Sequence, residues 1–343
     1  MRVLVYVPLA VCALLALVAP RLARRLPPRP AAWWLTCAAL VAAGGWAGSL
    51  ALLAFTGFGQ IPAVAELGAW SAGVLRATSP VARLTSAGSA LVLAAAAVAL
   101  VRAGSRQLRS LLAAHRDCRA LPGAGDLAVI DDDRVEAYAV PGLPGRAGRP
   151  AGGRLVVSSG MLRALPGPER EALLAHERAH LRHQHHLFLL ALRLAASACP
   201  LLRPLAGEGA FTVERWADEH AAAVVGDRAL VARALARAAL AKQGEPEQGG
   251  RRQDAAGRGP RLAATGGPVP RRIRALLAAP PAPRRLPLVA GGLVLALCCV
   301  SLADAVQDDR QLFVGARRAA VTATRELPGR LPLTGARLPH RER

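Results

Sequence analysis

Leu173–His186 reads LLAHERAHLRHQHH and holds five of the eight histidines in the 343-residue chain. His176 and His180 are four residues apart, so on a helix they stand one above the other on the same face, with Glu177 beside them. Two imidazoles at that offset hold one zinc ion, and the neighbouring carboxylate reaches water next to it. The flanks are apolar, where ionisable groups without a purpose are costly to bury. The stretch therefore predicts a metal-binding helix, opened by Pro168 with Glu169 and Glu171 behind it.

The other histidines of the stretch sort by geometry. His183 lies about 10 Å along a continuous helix from His176, too far to share its ion. With His185 and His186 it reads as a polar helix end near the membrane surface. His186 stands where a metzincin places its third histidine, but His183 occupies the position where that family needs glycine, which excludes the assignment. A third ligand must come from elsewhere. FTVERWADEHAAA (211–223) offers Glu214 and Asp218, four apart on one helical face. Glu214 is placed to complete the site and Asp218 to accept the N–H of a ligand histidine. Alone, such a pair is more often a solvated helix face.

Outward from this stretch, the chain is 53% hydrophobic and only 3% aromatic, too apolar for an ordinary soluble domain of this length. Four runs read as transmembrane helices: Val3–Pro20, Ala31–Phe55, an Ala-rich one around Ser86–Val101, and Leu286–Ala303. The first is a membrane span rather than a cleaved leader, because Arg21, Arg24 and Arg25 follow it without a small-x-small cleavage site. Arginines cluster after the first and third runs, so the N-terminus is expected outside and residues 102–285 in the cytoplasm, although the tail also carries Arg317 and Arg318. The net charge of +21 is scattered and lacks an aromatic platform, which argues for anionic lipid and against direct nucleic-acid binding. No cysteine pair has metal-ligand spacing or implies a disulfide framework.

The expected organisation is a three-helix transmembrane region (1–104), a cytoplasmic metallopeptidase domain (105–243), a flexible linker with a short basic helix (244–284), a fourth span (285–304) and a short tail (305–343). Within the domain, LAVIDDDRVEAYAV and RLVVSSG read as strands, with Asp131–Arg134 as a solvated hairpin turn. PGLPGRAGRPAGG forms a long connection between them. Helices are expected over Phe211–Val225 and Arg228–Lys242, broken at Gly226. The fold class is mainly α with a small β element, in a polytopic membrane protein of about four transmembrane helices.

LLAHERAHLRHQHH followed by VERWADEHAAAVVGD, with AYAVPG and RLVVSSGML ahead of them, resembles the gluzincin membrane peptidases, both the HtpX-like and the BlaR/MecR-type groups. The resemblance covers roughly Leu127–Lys242. It implies an α+β peptidase domain with one zinc ion on His176, His180 and Glu214. It further implies Glu177 as general base and Asp218 behind a ligand histidine. The order of spans matches the BlaR/MecR layout better, because Leu187–Leu205 is interrupted by Arg193, Pro200 and Arg203 and reads as a buried or membrane-surface helix. The β-lactam sensors' Ser-x-x-Lys chemistry is absent: the only lysine, Lys242, has Ala239 at the serine position.

These residues lead to an expected zinc endopeptidase, regulatory in role, acting on a protein substrate such as a cytoplasmic transcriptional repressor. The strand at Glu136–Val140 is expected to pair with extended substrate, and His220 and Tyr138 are candidate oxyanion donors. A quality-control peptidase for membrane proteins shares the chemistry. A catalytically silent receptor stapled by zinc is the rival of another class. No sequence feature fixes the oligomeric state.

Overall fold

The computed structural model describes residues 4–78, 83–120, 126–142, 153–243, 262–263, 269–279 and 286–325. Most of the Gly/Pro-rich connection, the bulk of the expected linker, the side chain of Cys118 and the tail beyond Arg325 lie outside the described residues.

Long apolar helices form the first layer. Helix α1 (Val7–Ala23) and α2 (Pro28–Phe58) lead through two short helices, α3 (Pro62–Gly68) and α4 (Ala72–Thr78), into α5 (Arg83–Ala120). The last described element is α12 (Leu286–Arg325). Three stretches, Pro28–Phe58, Arg83–Asp117 and Gly291–Thr322, are long and apolar enough to cross a bilayer and mark a membrane protein. Exposed Leu91, Val98 and Val101 on α5 and Leu293, Leu297 and Val300 on α12 give these helices an apolar outer surface. Helix α1 is a shorter apolar helix of 17 residues, at the low end of spanning length, beside these three. Its inner face is nonetheless buried, Cys12, Leu15 and Ala19 packing with Leu35 and Ala39 of α2 in one core cluster. Helix α5 runs unbroken past the boundary expected at residue 104, reaching Ala114 against the sheet.

That sheet contains β1 (Leu127–Ile130), β2 (Ala137–Val140), β3 (Arg154–Ser158) and a two-residue β4 (Leu262–Ala263), in the order β1-β3-β2-β4. The expected hairpin is not formed: β3 inserts between β1 and β2, parallel to the first and antiparallel to the second. The turn is held from elsewhere, with the Ser158 hydroxyl donating to Arg134 O and Ser159 Oγ donating to Asp131 Oδ1 at 3.0 Å. Gly160 makes this closeness possible, since a Cβ there would meet Asp133 O at 2.1 Å.

Six helices follow in the chain, α6 (Ser159–Ala164), α7 (Gly167–Arg182), α8 (His185–Ala198), α9 (Arg203–Val225), α10 (Arg228–Gln243) and α11 (Val269–Leu277), of which α6, α7 and α10 pack on the sheet. Helix α7 is the hub. Leu173 enters the core beneath the sheet, while Ala172 and Ala175 pack against Ala221 of α9, Val231 of α10 and Leu276 of α11. Gly226 (φ +77) ends α9, and the Asp227 carboxylate accepts from the Ala229 and Leu230 amides to start α10.

One break is invisible in the amino-acid pattern. Gln184 adopts φ 51, ψ 42, a left-handed conformation unusual for a residue with a Cβ, and it separates α7 from α8. The chain turns there, and α8 packs on α2, α5 and α9 instead of prolonging α7. Because the Gln184 side chain is exposed, Gln184→Gly is expected to be neutral or stabilising by up to about 1 kcal/mol, and Gln184→Val destabilising by about 1–2 kcal/mol. Thermal unfolding of the three purified chains checks the order.

Candidate metal centre

The turn of α7 at His176–His180 faces the middle of α9. His176, Glu177, His180, Glu214 and Asp218 are all buried, none more than 4% exposed. His176 Nε2 and His180 Nε2 lie 3.2 Å apart. Glu214 divides its oxygens between them, Oε2 at 3.7 Å from His176 Nε2 and Oε1 at 3.8 Å from His180 Nε2. One ligand atom from each of the three residues falls within 4.8 Å of the others, a two-nitrogen, one-oxygen set that suits a zinc-like ion. The four-residue spacing on each helix aims both pairs into one gap.

The far side of each imidazole is also engaged. His176 Nδ1 lies 3.0 Å from Asp218 Oδ1, which turns Nε2 toward the cluster. His180 Nδ1 lies 3.0 Å from His185 Nδ1. His185 is thus a correction to the sequence reading, which placed it on a polar helix end. It is completely buried, because the left-handed Gln184 folds α8 back beside α7, and Trp216 covers it at 4.6 Å between ring centroids. His183 is only partly buried and hydrogen-bonds His220 at 3.3 Å (Nε2 to Nδ1).

Neither expected oxyanion donor belongs to the cluster. Tyr138 is on the opposite face of β2: strand alternation sends Ala137 and Ala139 into the core with Leu173 of α7, and Tyr138 toward Ala114 of α5 and Val156. His220 is held by His183. The edge of β2 expected to receive substrate is paired with β4, Tyr138 opposite Ala263 and Ala139 opposite Leu262.

Arg272 is the site residue that the sequence reading missed. It lies on α11, within the segment read as a linker, and is completely buried. Its Nε donates to Asp218 Oδ2 at 2.8 Å and its Nη2 to Asp218 Oδ1; Nη1 is 2.9 Å from Glu214 Oε2. The same Nη2 lies 3.4 Å from His176 Nε2. The signal was slight: one of several arginines in VPRRIRALL, on a helix whose apolar face pairs Ile273 with Leu276.

Charge bookkeeping tests whether these residues fit a dication. Glu177, Glu214 and Asp218 are three buried carboxylates facing one guanidinium, a deficit of two positive charges in low dielectric. Both Glu177 oxygens are buried without a full hydrogen bond, the Ala139 amide of β2 being the neighbouring donor. Burial, reinforced by Glu214, pushes the Glu177 carboxyl up to about 8. Burial works against a charged His176, yet hydrogen bonds to Asp218 and Glu214 prevail and raise it to about 9. Burial holds His180 down to about 3, and Arg272 overcomes burial to hold Glu214 down to about 2. Protons on His176 and Glu177 balance the same two charges that a dication would cancel, so the residues fit the ion. Comparison with known proteins agrees. Residues 102–211, carrying His176, Glu177 and His180 and ending just short of Glu214, match the model of Peptidase family M48, a family zinc-dependent in general. No curated protein and no solved structure matches the chain. The match supports a metallopeptidase.

Two outcomes follow from the charge balance. Zinc uptake should release about two protons per ion near neutral pH, and affinity should climb with pH, less steeply above about 8 and levelling above about 9, as Glu177 and then His176 shed their protons unaided; calorimetry in buffers of different ionisation enthalpy reads the stoichiometry. Arg272→Leu should cost roughly 3–5 kcal/mol by stranding Asp218 and Glu214. Saturating zinc should restore part of the lost thermal stability.

Proposed function

We propose that this protein is a membrane-anchored zinc endopeptidase whose site is His176, His180 and Glu214 with Glu177 as general base. The observation that carries the reading is Glu177: a fully buried carboxylate, without a full hydrogen bond, on the same helical turn as two imidazoles that converge on Glu214. A zinc ion held there supplies Lewis acidity toward the scissile carbonyl and lowers the pKa of water.

The chain's own groups account for the remaining requirements. Glu177 takes a proton from the attacking water and returns it to the leaving amine. Its environment keeps its proton affinity near the working pH, as a general base needs, while a nearby dication favours the carboxylate form. Asp218 orients His176, and His185 orients His180, each fixing which ring nitrogen faces the ion. Arg272 positions Asp218 and neutralises it. Extended substrate pairs with the outer edge of β2 by displacing β4, which pairs there through Leu262 and Ala263 among the described residues.

The substrate in this proposal is a cytoplasmic transcriptional repressor, cleaved in response to an event at the membrane, as in the BlaR/MecR-type layout. The helix order supports that choice over quality control of membrane proteins. Helix α8, which follows the site, has 14 residues and packs against α2, α5 and α9, and the next helix long enough to cross a bilayer is α12.

The test compares wild type with Glu177→Gln, both purified full length in detergent and assayed for zinc and for cleavage of a soluble repressor-type protein and an unfolded membrane protein. Equal zinc, with cleavage at least about 10³-fold slower in the variant, is expected. Preferential cutting of the repressor supports the regulatory role, and preferential cutting of the membrane chain overturns it in favour of quality control. Equal zinc with equal activity in both chains would contradict the assigned base.

A further inference from the structure

Two ion-pair groups flank one residue of α9. Arg24, at the end of α1, and Arg271 of α11 share the carboxylate of Glu208, Arg271 Nη2 donating to Oε1 at 2.7 Å. Further along α9, Glu219 Oε1 accepts from Arg228 at 2.6 Å. Arg215 stands between them, seven residues or about 10 Å after Glu208 and one turn before Glu219.

Arg215 is only 9% exposed, yet no hydrogen bond or ion pair reaches its guanidinium among the described residues. Nε is enclosed without a partner, while Nη1 and Nη2 keep contact with solvent. Glu219 and Asp218 attract the charge from beyond pairing distance, and Arg228 and Arg271 repel it. Arg272, the other buried arginine, shows the contrast: all three of its nitrogens engage Asp218 or Glu214. A guanidinium drawn out of water and left unpaired is costly, and an apolar side chain would fill the same space at lower cost. An anion on Nη1 and Nη2 offsets that cost.

The charge balance selects the anion. Arg24, Arg215, Arg228 and Arg271 bring four positive charges to this side of α9 against two negative ones on Glu208 and Glu219, because Asp218 is taken by Arg272. A carboxylate cancels one of the two in excess, whereas a phosphate group carries about −1.5 to −2 near neutral pH. The planar fork of Nη1 and Nη2 matches two phosphate oxygens. We propose that this strip binds one phosphate group, held end-on by Nη1 and Nη2 of Arg215 with the half-buried Arg271 beside it. Inorganic phosphate and the headgroup of phosphatidic acid offer the same chemistry. A headgroup is within the range of sources because Leu205, three residues before Glu208, packs in one cluster with Ala19 and Ala23 of the apolar α1, whose end carries Arg24. The site does not depend on the peptidase reading.

The experiment measures equilibrium binding of radiolabelled inorganic phosphate to the full-length chain in nanodiscs of phosphatidylcholine, with acetate as competitor. One saturable site per chain is expected, weakened at least tenfold by Arg215→Met, and acetate should compete at least tenfold less well than unlabelled phosphate. Because Arg215→Met removes an unpaired buried charge, its thermal transition in phosphate-free buffer should equal or exceed that of wild type, and phosphate should raise the transition of wild type alone. Arg215→Lys, which keeps the charge and loses the fork, should bind phosphate at least threefold more weakly than wild type. Loss of the phosphate site when phosphatidic acid is included in the disc would support the site with a lipid headgroup as occupant; its persistence would support the site with free phosphate. Absence of saturable binding, equal binding by Arg215→Met, as phosphate bound at the metal centre would give, or equal competition by acetate would overturn the proposal.

Discussion

A buried excess of negative charge governs the centre of this molecule. Glu177, Glu214 and Asp218 are enclosed by α7, α9 and α11, where their mutual repulsion is poorly screened. One guanidinium, Arg272, offsets part of it and in doing so fastens α11 to α9. Helix α11 is short and is joined to its neighbours in sequence by segments rich in glycine and proline. It is docked by that ion pair, by Arg271 with Glu208, by Arg228 donating to the Ala275 and Ala278 carbonyls, and by Ile273 and Leu276. The remaining imbalance is one that a dication would cancel, which is why the three-residue set fits one.

The precision of the cluster has a second source in the backbone. A helix continuing through His183–His186 would carry His185 away from His180. The left-handed Gln184 instead starts a new helix whose first residue supplies the partner for His180 Nδ1. Both metal-facing imidazoles thereby have a fixed ring nitrogen turned inward, one set by a carboxylate and the other by a histidine. A cap of Trp216 and Phe188 covers His185, and Trp33 of α2 stacks edge-on to Phe188 at 4.8 Å between centroids, tying the site's surroundings to a helix long and apolar enough to cross a bilayer. This chain of contacts links the helical bundle to the chemistry without an intervening linker.

What could be read from the sequence followed from periodicity. The spacing of His176 with His180 and of Glu214 with Asp218 locates two faces, and two faces that each carry unfavourable buried charge have reason to meet. The long apolar runs and the Pro168 and Gly226 boundaries are equally local signals. Features set by contacts distant in sequence escaped. Arg272 looks like any solvent-facing arginine until its partners are known. Gln184 has no compositional mark of a left-handed turn. The insertion of β3 between β1 and β2 depends on a close approach at Gly160 that no pattern announces. The first apolar run, followed by arginines, has the composition of a span, and its helix, beginning at Val7, is 17 residues long, at the short end of what crosses a bilayer.

The central claim is that two imidazole nitrogens and one carboxylate oxygen from α7 and α9 hold a single ion. Zinc-edge X-ray absorption on the purified full-length chain examines those ligands directly. The account predicts one zinc per chain with scattering from two imidazoles and light oxygen or nitrogen neighbours at about 2.0–2.2 Å, and loss of one imidazole shell in His180→Ala. A sulfur shell near 2.3 Å, or a spectrum unchanged by His180→Ala, would contradict it.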